Sequence, residues 1–126
     1  IALLVDIHSM PPLLPVGGFR PHIVIGDRFG QSAASLYSEV LLQRLKQIGM
    51  SAALNHPYSG DYILRRHGQV RKNIHAIQIE VDRSLYLDSD LREPDAGLGT
   101  TSELITELLM LLAELTGGTS MSMAAE

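Results

Sequence analysis

Two polar residues follow the first apolar run of the chain. The run Ile-Ala-Leu-Leu-Val occupies residues 1–5, Asp6 follows it directly, and His8 comes two residues later. Side chains two residues apart on a strand point to the same face, so the carboxylate and the imidazole are expected side by side. Such an imidazole could bind a metal ion while the carboxylate orients it. A structural role, in which Asp6 binds backbone groups at a strand end, explains the same residues.

A second carboxylate, Glu80, lies within an alternating segment, residues 74–82. His75, Ile77, Ile79 and Val81 share one face, so Glu80 faces the other way. In a cleft beside a metal-bound water, Glu80 would be suited to act as a general base. A carboxylate facing solvent on an edge strand, or paired with Arg83, would produce the same alternation.

Two turns carry further groups that could bind a ligand. They are Gly-Asp-Arg-Phe-Gly at 26–30 and Asn-His-Pro-Tyr-Ser-Gly at 55–60. Turns rich in polar side chains often bind ligands, although such side chains also close on their own backbone. Arg28 could hold a substrate carboxylate with two hydrogen bonds, or it could pair with Asp27 or Asp61. Three other histidines show no metal-ligand spacing and are interpreted as structural or surface residues: His22, His67 and His75.

The elements that would position these residues alternate along the chain. An apolar stripe predicts a helix over 32–48, with Ser32 as N-cap and Gly49 after its end. A second helix is predicted over 100–116, opened by a Thr100-x-x-Glu103 capping box. Strands are predicted over 1–8 (buried on both faces), 22–26, 51–55 and 74–82, with a short helix over 62–67 and a frayed tail over 117–126. This alternation favours an α/β fold, a three-layer sandwich with a mixed sheet flanked by helices.

Length and composition exclude several classes of protein. The 126 residues suit one domain, and the net charge of −4 argues against a nucleic-acid partner. No apolar run reaches the roughly 18 residues of a membrane span. The absence of cysteine excludes disulfides and thiol nucleophiles and fits a cytoplasmic protein. Because the chain opens on an apolar run without Met, we expect it to be an interior piece of a longer protein.

Four motifs occur in an order that resembles a known family. They are Asp-Ile-His-Ser-Met-Pro at 6–11, Val-Ile-Gly-Asp-Arg-Phe-Gly at 24–30, Asn-His-Pro-Tyr-Ser-Gly at 55–60 and His-Ala-Ile-Gln-Ile-Glu-Val-Asp-Arg-Ser-Leu-Tyr at 75–86. Together they resemble the C-terminal part of the N-formylglutamate amidohydrolases, a family similar in fold to the zinc carboxypeptidases and aspartoacylases. The resemblance covers about residues 1–115 and implies a zinc-carboxypeptidase-like fold.

The resemblance implies a zinc-dependent reaction. The family hydrolyses N-formyl-L-glutamate to formate and glutamate in histidine degradation. His8 matches a zinc ligand, Glu80 matches the carboxylate that activates the attacking water, and Asp6 and Ser9 are expected to support His8. The same resemblance makes Asn55, Tyr58 and Arg83 candidate substrate-binding residues, with Arg28 as a candidate clamp for the substrate carboxylate.

The two earlier zinc ligands and the family's substrate-binding Asn-Arg pair have no counterpart in residues 1–126. A catalytic zinc normally has three protein ligands. We therefore expect activity to require the N-terminal half of the family domain or a partner chain. The alternative is a non-catalytic α/β remnant or interaction module that lacks a complete metal site.

Overall fold

The computed structural model describes residues 1–117 and has four strands and three α-helices in that range. The prediction of a frayed tail over 117–126 lies outside the described residues, except for Gly117. The elements, in chain order, are β1 (Ala2–Met10), β2 (Ile23–Gly26), α1 (Ser35–Gln47), β3 (Ala52–Leu54), α2 (Tyr62–His67), β4 (Ile74–Asp82) and α3 (Gly97–Leu115). Short 3₁₀ turns at Val70–Lys72 and Arg83–Leu85 flank β4. Within residues 1–117, no helix has both the length and the apolarity needed to cross a membrane.

The strands form one mixed sheet in the order β1-β4-β2-β3. β1 runs parallel to β4, β4 runs antiparallel to β2, and β2 runs parallel to β3. β4 therefore lies between two partners, and all of its residues except Ile74 are buried. This placement contradicts the interpretation of Glu80 as a solvent-facing carboxylate on an edge strand.

Helices α1 and α3 cover one face of the sheet. The alternating residues of β4 point into this core as predicted, where they meet the leucine stripes of both helices. α2 packs on the opposite face against β4 and β1. The three layers confirm the predicted α/β sandwich with a mixed sheet. The core is formed mainly by Ile23, Ile25, Tyr37, Leu41, Leu45, Ile77, Ile79, Leu104, Leu108 and Leu112.

The prediction that the first strand, residues 1–8, is buried on both faces is wrong. Within the described residues β1 pairs only with β4, and its end at Ile7–Ser9 is exposed. Leu3 and Val5 still pack on the core. The apolar run therefore reflects one buried face and a partly covered edge rather than an interior strand.

Both predicted helix N-caps are also wrong. Ser32 donates its hydroxyl hydrogen to the Ala76 carbonyl at 2.8 Å, which ties it to the sheet, and α1 begins only at Ser35. α3 begins at Gly97, whose N–H donates to the Asp95 carboxylate at 2.8 Å, so that Thr100 lies inside the helix. By contrast, Gly49 follows α1 at φ +75°, as expected for a left-handed residue after a helix end.

Candidate functional site in the cleft beside β1 and β4

The register of the parallel pair β1–β4 brings the predicted site residues together. His8 is paired with Glu80, and Asp6 is paired with Gln78. Because residues in register on neighbouring strands share a face, the four side chains form a polar patch. This patch lies opposite the face covered by α1 and α3.

Asp6 holds the imidazole of His8. The distance from His8 Nε2 to Asp6 Oδ2 is 2.9 Å, with the imidazole half-exposed and the carboxylate largely covered. A carboxylate on one ring nitrogen fixes the tautomer and orientation of a histidine, as it does for many metal-binding histidines. The contact agrees with the pairing predicted from the Asp-x-His spacing.

Glu80 is a buried carboxylate beside this pair, with 8% of its surface exposed. Its Oε1 accepts a hydrogen bond from the Gln78 amide at 2.8 Å. Burial raises the pKa of Glu80 above its ordinary value, and the negative charge of Asp6 raises it further, while His8 and Arg83 oppose the shift. A raised pKa makes a carboxylate a stronger base, which suits proton transfer near neutral pH.

The patch forms one side of a cleft of about 500 Å³. The opposite wall is the segment 57–63, which includes Tyr58. The segment can approach the sheet because Gly26 has no side chain: a Cβ there would lie 2.7 Å from the Ser59 carbonyl carbon. The cleft thus combines a buried carboxylate, an imidazole and a phenol on one small surface.

The structure places Asn55 away from the lining of this cleft. Its side chain is buried and donates to Asp27 Oδ1 at 2.9 Å, and its own Oδ1 accepts the Asp27 N–H at 3.0 Å. These two bonds join the end of β3 to the 26–30 turn. The geometry is that of turn closure, one of the two roles considered for this motif.

Arg28 lies at the rim of the 57–63 segment. Its backbone N–H donates to the Ser59 carbonyl at 2.8 Å. No hydrogen bond or ion pair joins its guanidinium to Asp27 or Asp61, all three residues being within the described range. The ion pairs considered from the sequence are therefore not formed.

Arg83 and Ser9 contact each other at the end of the two strands. Arg83 Nε donates to Ser9 Oγ at 3.2 Å. Ser9 follows His8 and therefore faces the α3 side of the sheet, away from the imidazole. Arg83 still acts on the cleft through its charge, which opposes the upward pKa shift of Glu80.

Two groups of functional interest were missed by the sequence analysis. One is the Gln78 amide on Glu80. The other is a partly buried ion pair in which Arg20 Nη2 donates to Asp82 Oδ2 at 2.9 Å. The i, i+2 spacing of Gln78 and Glu80 could have indicated the first, but nothing local links two residues 62 positions apart.

The residues of this chain provide only part of a zinc donor set. Within residues 1–117, no group of three or more His, Cys, Asp or Glu is placed to hold a metal ion. Among these described residues, His8 is the one imidazole that lines the cleft, and a catalytic zinc takes three protein ligands. The chemistry of the donors fits zinc, but their number does not complete a site.

Comparisons with known proteins show which family this chain resembles. The family model for N-formylglutamate amidohydrolase matches residues 1–87. Two curated relatives, both called N-formylglutamate deformylase, are 34% identical (Pseudomonas putida) and 32% identical (Pseudomonas aeruginosa) over 94 residues, which are 69% of this chain. The chain spans about a third, 34%, of the length of these relatives.

Solved structures extend the similarity to the fold. An N-formylglutamate amidohydrolase from Ralstonia eutropha superposes with a TM-score of 0.79 at 26% identity, covering 90% of this chain and 43% of that one. A gene product of Agrobacterium tumefaciens shares the fold with a TM-score of 0.52 at 20% identity, covering 87% of this chain and 42% of its own. From the family-model match and the superposition, we conclude that the chain belongs to the N-formylglutamate amidohydrolase family.

Proposed function

We propose that this chain forms part of an enzyme that hydrolyses N-formyl-L-glutamate, or a related N-acyl amino acid, to formate and the free amino acid. The observation that carries the proposal is the buried Glu80 carboxylate in register with His8 on one wall of the cleft. Membership of the amidohydrolase family and the names of the Pseudomonas relatives support the reaction class.

We assign the basic step to Glu80. It would take a proton from the attacking water, a step that its raised pKa favours, and would then deliver this proton to the leaving amine. His8, oriented by Asp6, would be one ligand of a catalytic zinc ion. When bound, zinc would polarise the formyl carbonyl and lower the pKa of the water.

Substrate binding would involve the open wall of the cleft. Tyr58 lines the cleft and can donate a hydrogen bond to the substrate. Arg28 has no ion-pair partner among the described residues, which supports its assignment as a carboxylate clamp. Arg83 would contribute positive charge near Glu80. The partial donor set supports the further proposal that residues outside this chain supply the remaining zinc ligands.

The test is the Glu80→Gln substitution in the complete gene product. The new amide would keep the size of the side chain but could not accept the proton, so kcat should fall about 10²–10⁴-fold. The variant should retain zinc by elemental analysis, whereas His8→Ala should lose it. Glu39→Gln, the same change at an exposed position of α1, should leave both quantities unchanged. Turnover by Glu80→Gln at the wild-type rate would refute the role assigned to Glu80.

The partial donor set also favours a second candidate, a non-catalytic α/β module. This candidate predicts that the complete wild-type protein contains no zinc and does not hydrolyse N-formylglutamate. The same assay, run on the wild-type protein, therefore separates the two functions.

A further inference from the structure

The side chain of Gln78 occupies a site with little freedom. It is buried in the central strand β4, in register with Asp6 of β1 on one side and Gly26 of β2 on the other. The backbone of Ser59 lies directly over Gly26. Gln78 thus lines the cleft and is flanked within the sheet by Asp6 on one side and by the backbone of β2 on the other.

The hydrogen bond between Gln78 and Glu80 has a defined direction. An ionised carboxylate has only acceptors, so the amide nitrogen of Gln78 must face Oε1 of Glu80, at 2.8 Å. Because the two residues are separated by one position on the same strand, the pleat itself holds the amide beside the carboxylate. A buried, charge-assisted bond of this kind restricts the rotation of the Glu80 side chain.

We propose that Gln78 is a positioning residue that holds the Glu80 carboxylate in place for proton transfer. The Gln78 amide donates a hydrogen bond to Oε1 of Glu80, so the other oxygen, Oε2, would accept and release the proton. Without this bond the carboxylate would rotate, and proton transfer depends strongly on the placement of the base. The inference rests on the proposed function of Glu80 and extends it to a residue that need not touch the substrate.

The test is the Gln78→Met substitution in the complete gene product with N-formyl-L-glutamate. Methionine matches the length of glutamine but cannot donate a hydrogen bond. Because the role is exerted on the base, kcat should fall about 10–100-fold while KM stays within about twofold. Gln78→Asn, which keeps an amide but shortens its reach, should lose kcat in the same way. Gln47→Met on α1 is the matched control and should behave as wild type.

A double-mutant cycle distinguishes positioning from a structural role. In a Glu80→Gln background there is no base to position, so adding Gln78→Met should lower the residual rate by less than about twofold. An additive loss, or a Gln78→Met variant as active as Gln47→Met, would overturn this inference and leave the proposed function standing. Absence of turnover in the wild-type protein would refute the proposed function and, with it, the inference.

Discussion

The partly buried ion pair between Arg20 and Asp82 should contribute strongly to stability. Arg20 Nη2 lies 2.9 Å from Asp82 Oδ2, and the Asp82 side chain is 0% exposed, whereas that of Arg20 is 32% exposed. Removing one partner of a buried pair costs about 3–5 kcal/mol, because the other charge is left uncompensated. Since about a third of Arg20 is in contact with water, we expect Arg20→Met to lower the free energy of unfolding by about 2–3 kcal/mol at pH 7.5.

The ion pair Arg44–Glu107 provides a matched control. It joins α1 to α3 with side chains that are 37% and 40% exposed. Exposed pairs contribute about 0–1 kcal/mol, so Arg44→Met should cost no more than that. Urea unfolding followed by far-UV circular dichroism suits this tryptophan-free protein. Losses of equal size in the two variants would refute the importance assigned to burial.

The deficit of Arg20→Met should also depend on pH. Burial alone would raise the pKa of Asp82, but hydrogen bonds from Arg20 and Ser84 hold it below the ordinary value of 3.8. In the wild-type protein the contribution of Asp82 is therefore complete above about pH 4 and is lost only as the pH falls through the lower, folded-state pKa. Without Arg20, burial raises that pKa, and protonation relieves the unpaired charge. The deficit should thus be smaller at pH 5 than at pH 7.5, and a deficit that is constant or larger at pH 5 would contradict this account.

Further predictions concern the cleft wall, α3 and the core histidine. Gly26→Ala would place a Cβ 2.7 Å from backbone atoms of Ser59, so we expect a loss of about 1–3 kcal/mol in urea unfolding. A Cβ added at Gly99 in α3 would have no atom within 4 Å, so Gly99→Ala should instead stabilise the protein by about 0.5–1 kcal/mol. A change in unfolding free energy of the same sign in Gly26→Ala and Gly99→Ala would refute the steric argument. Burial lowers the pKa of His75 below 6.5, and its Nδ1 accepts the Ala34 N–H. As the pH is lowered, the unfolded chain therefore binds the proton before the folded protein does. The urea midpoint should decrease when the pH is lowered from 7.5 to 5.5, and it should decrease less in His75→Gln. An equal decrease in both proteins would exclude His75 as the cause.

The strand β4 shows how much of the site the sequence could predict. Its alternation correctly assigned Ile77, Ile79 and Val81 to the core, which placed Glu80 on the opposite face. Alternation has the same period in edge and central strands, so the burial of Glu80 could not be derived from it. That burial depends on β1 and β2, which flank β4 in space but not in sequence.

The errors at the two helix starts have different physical origins. Ser32 and Thr100 have the residue types of N-caps. Local propensity cannot register the Ala76 carbonyl, which lies 44 positions from Ser32, whereas Asp95 lies just before Gly97 and has a residue type that is itself favoured at helix starts. The substrate-binding predictions for Asn55 and Arg83 remain predictions, since the structure shows their partners but no substrate. Asn55 closes a turn with Asp27, and Arg83 contacts Ser9.

The sequence by itself determined the α/β class, the amphipathic helices, the family resemblance and the shared face of Asp6 and His8. Each of these follows from local periodicity or from motifs that are contiguous in the chain. Only the tertiary structure decided that His8 lies in register with Glu80, that Gln78 holds that carboxylate and that Arg20 neutralises Asp82. The first and last of these contacts join distant segments. The Gln78–Glu80 contact depends on the burial of β4. The burial that raises the pKa of Glu80 arises only when the strands and the cleft wall pack together.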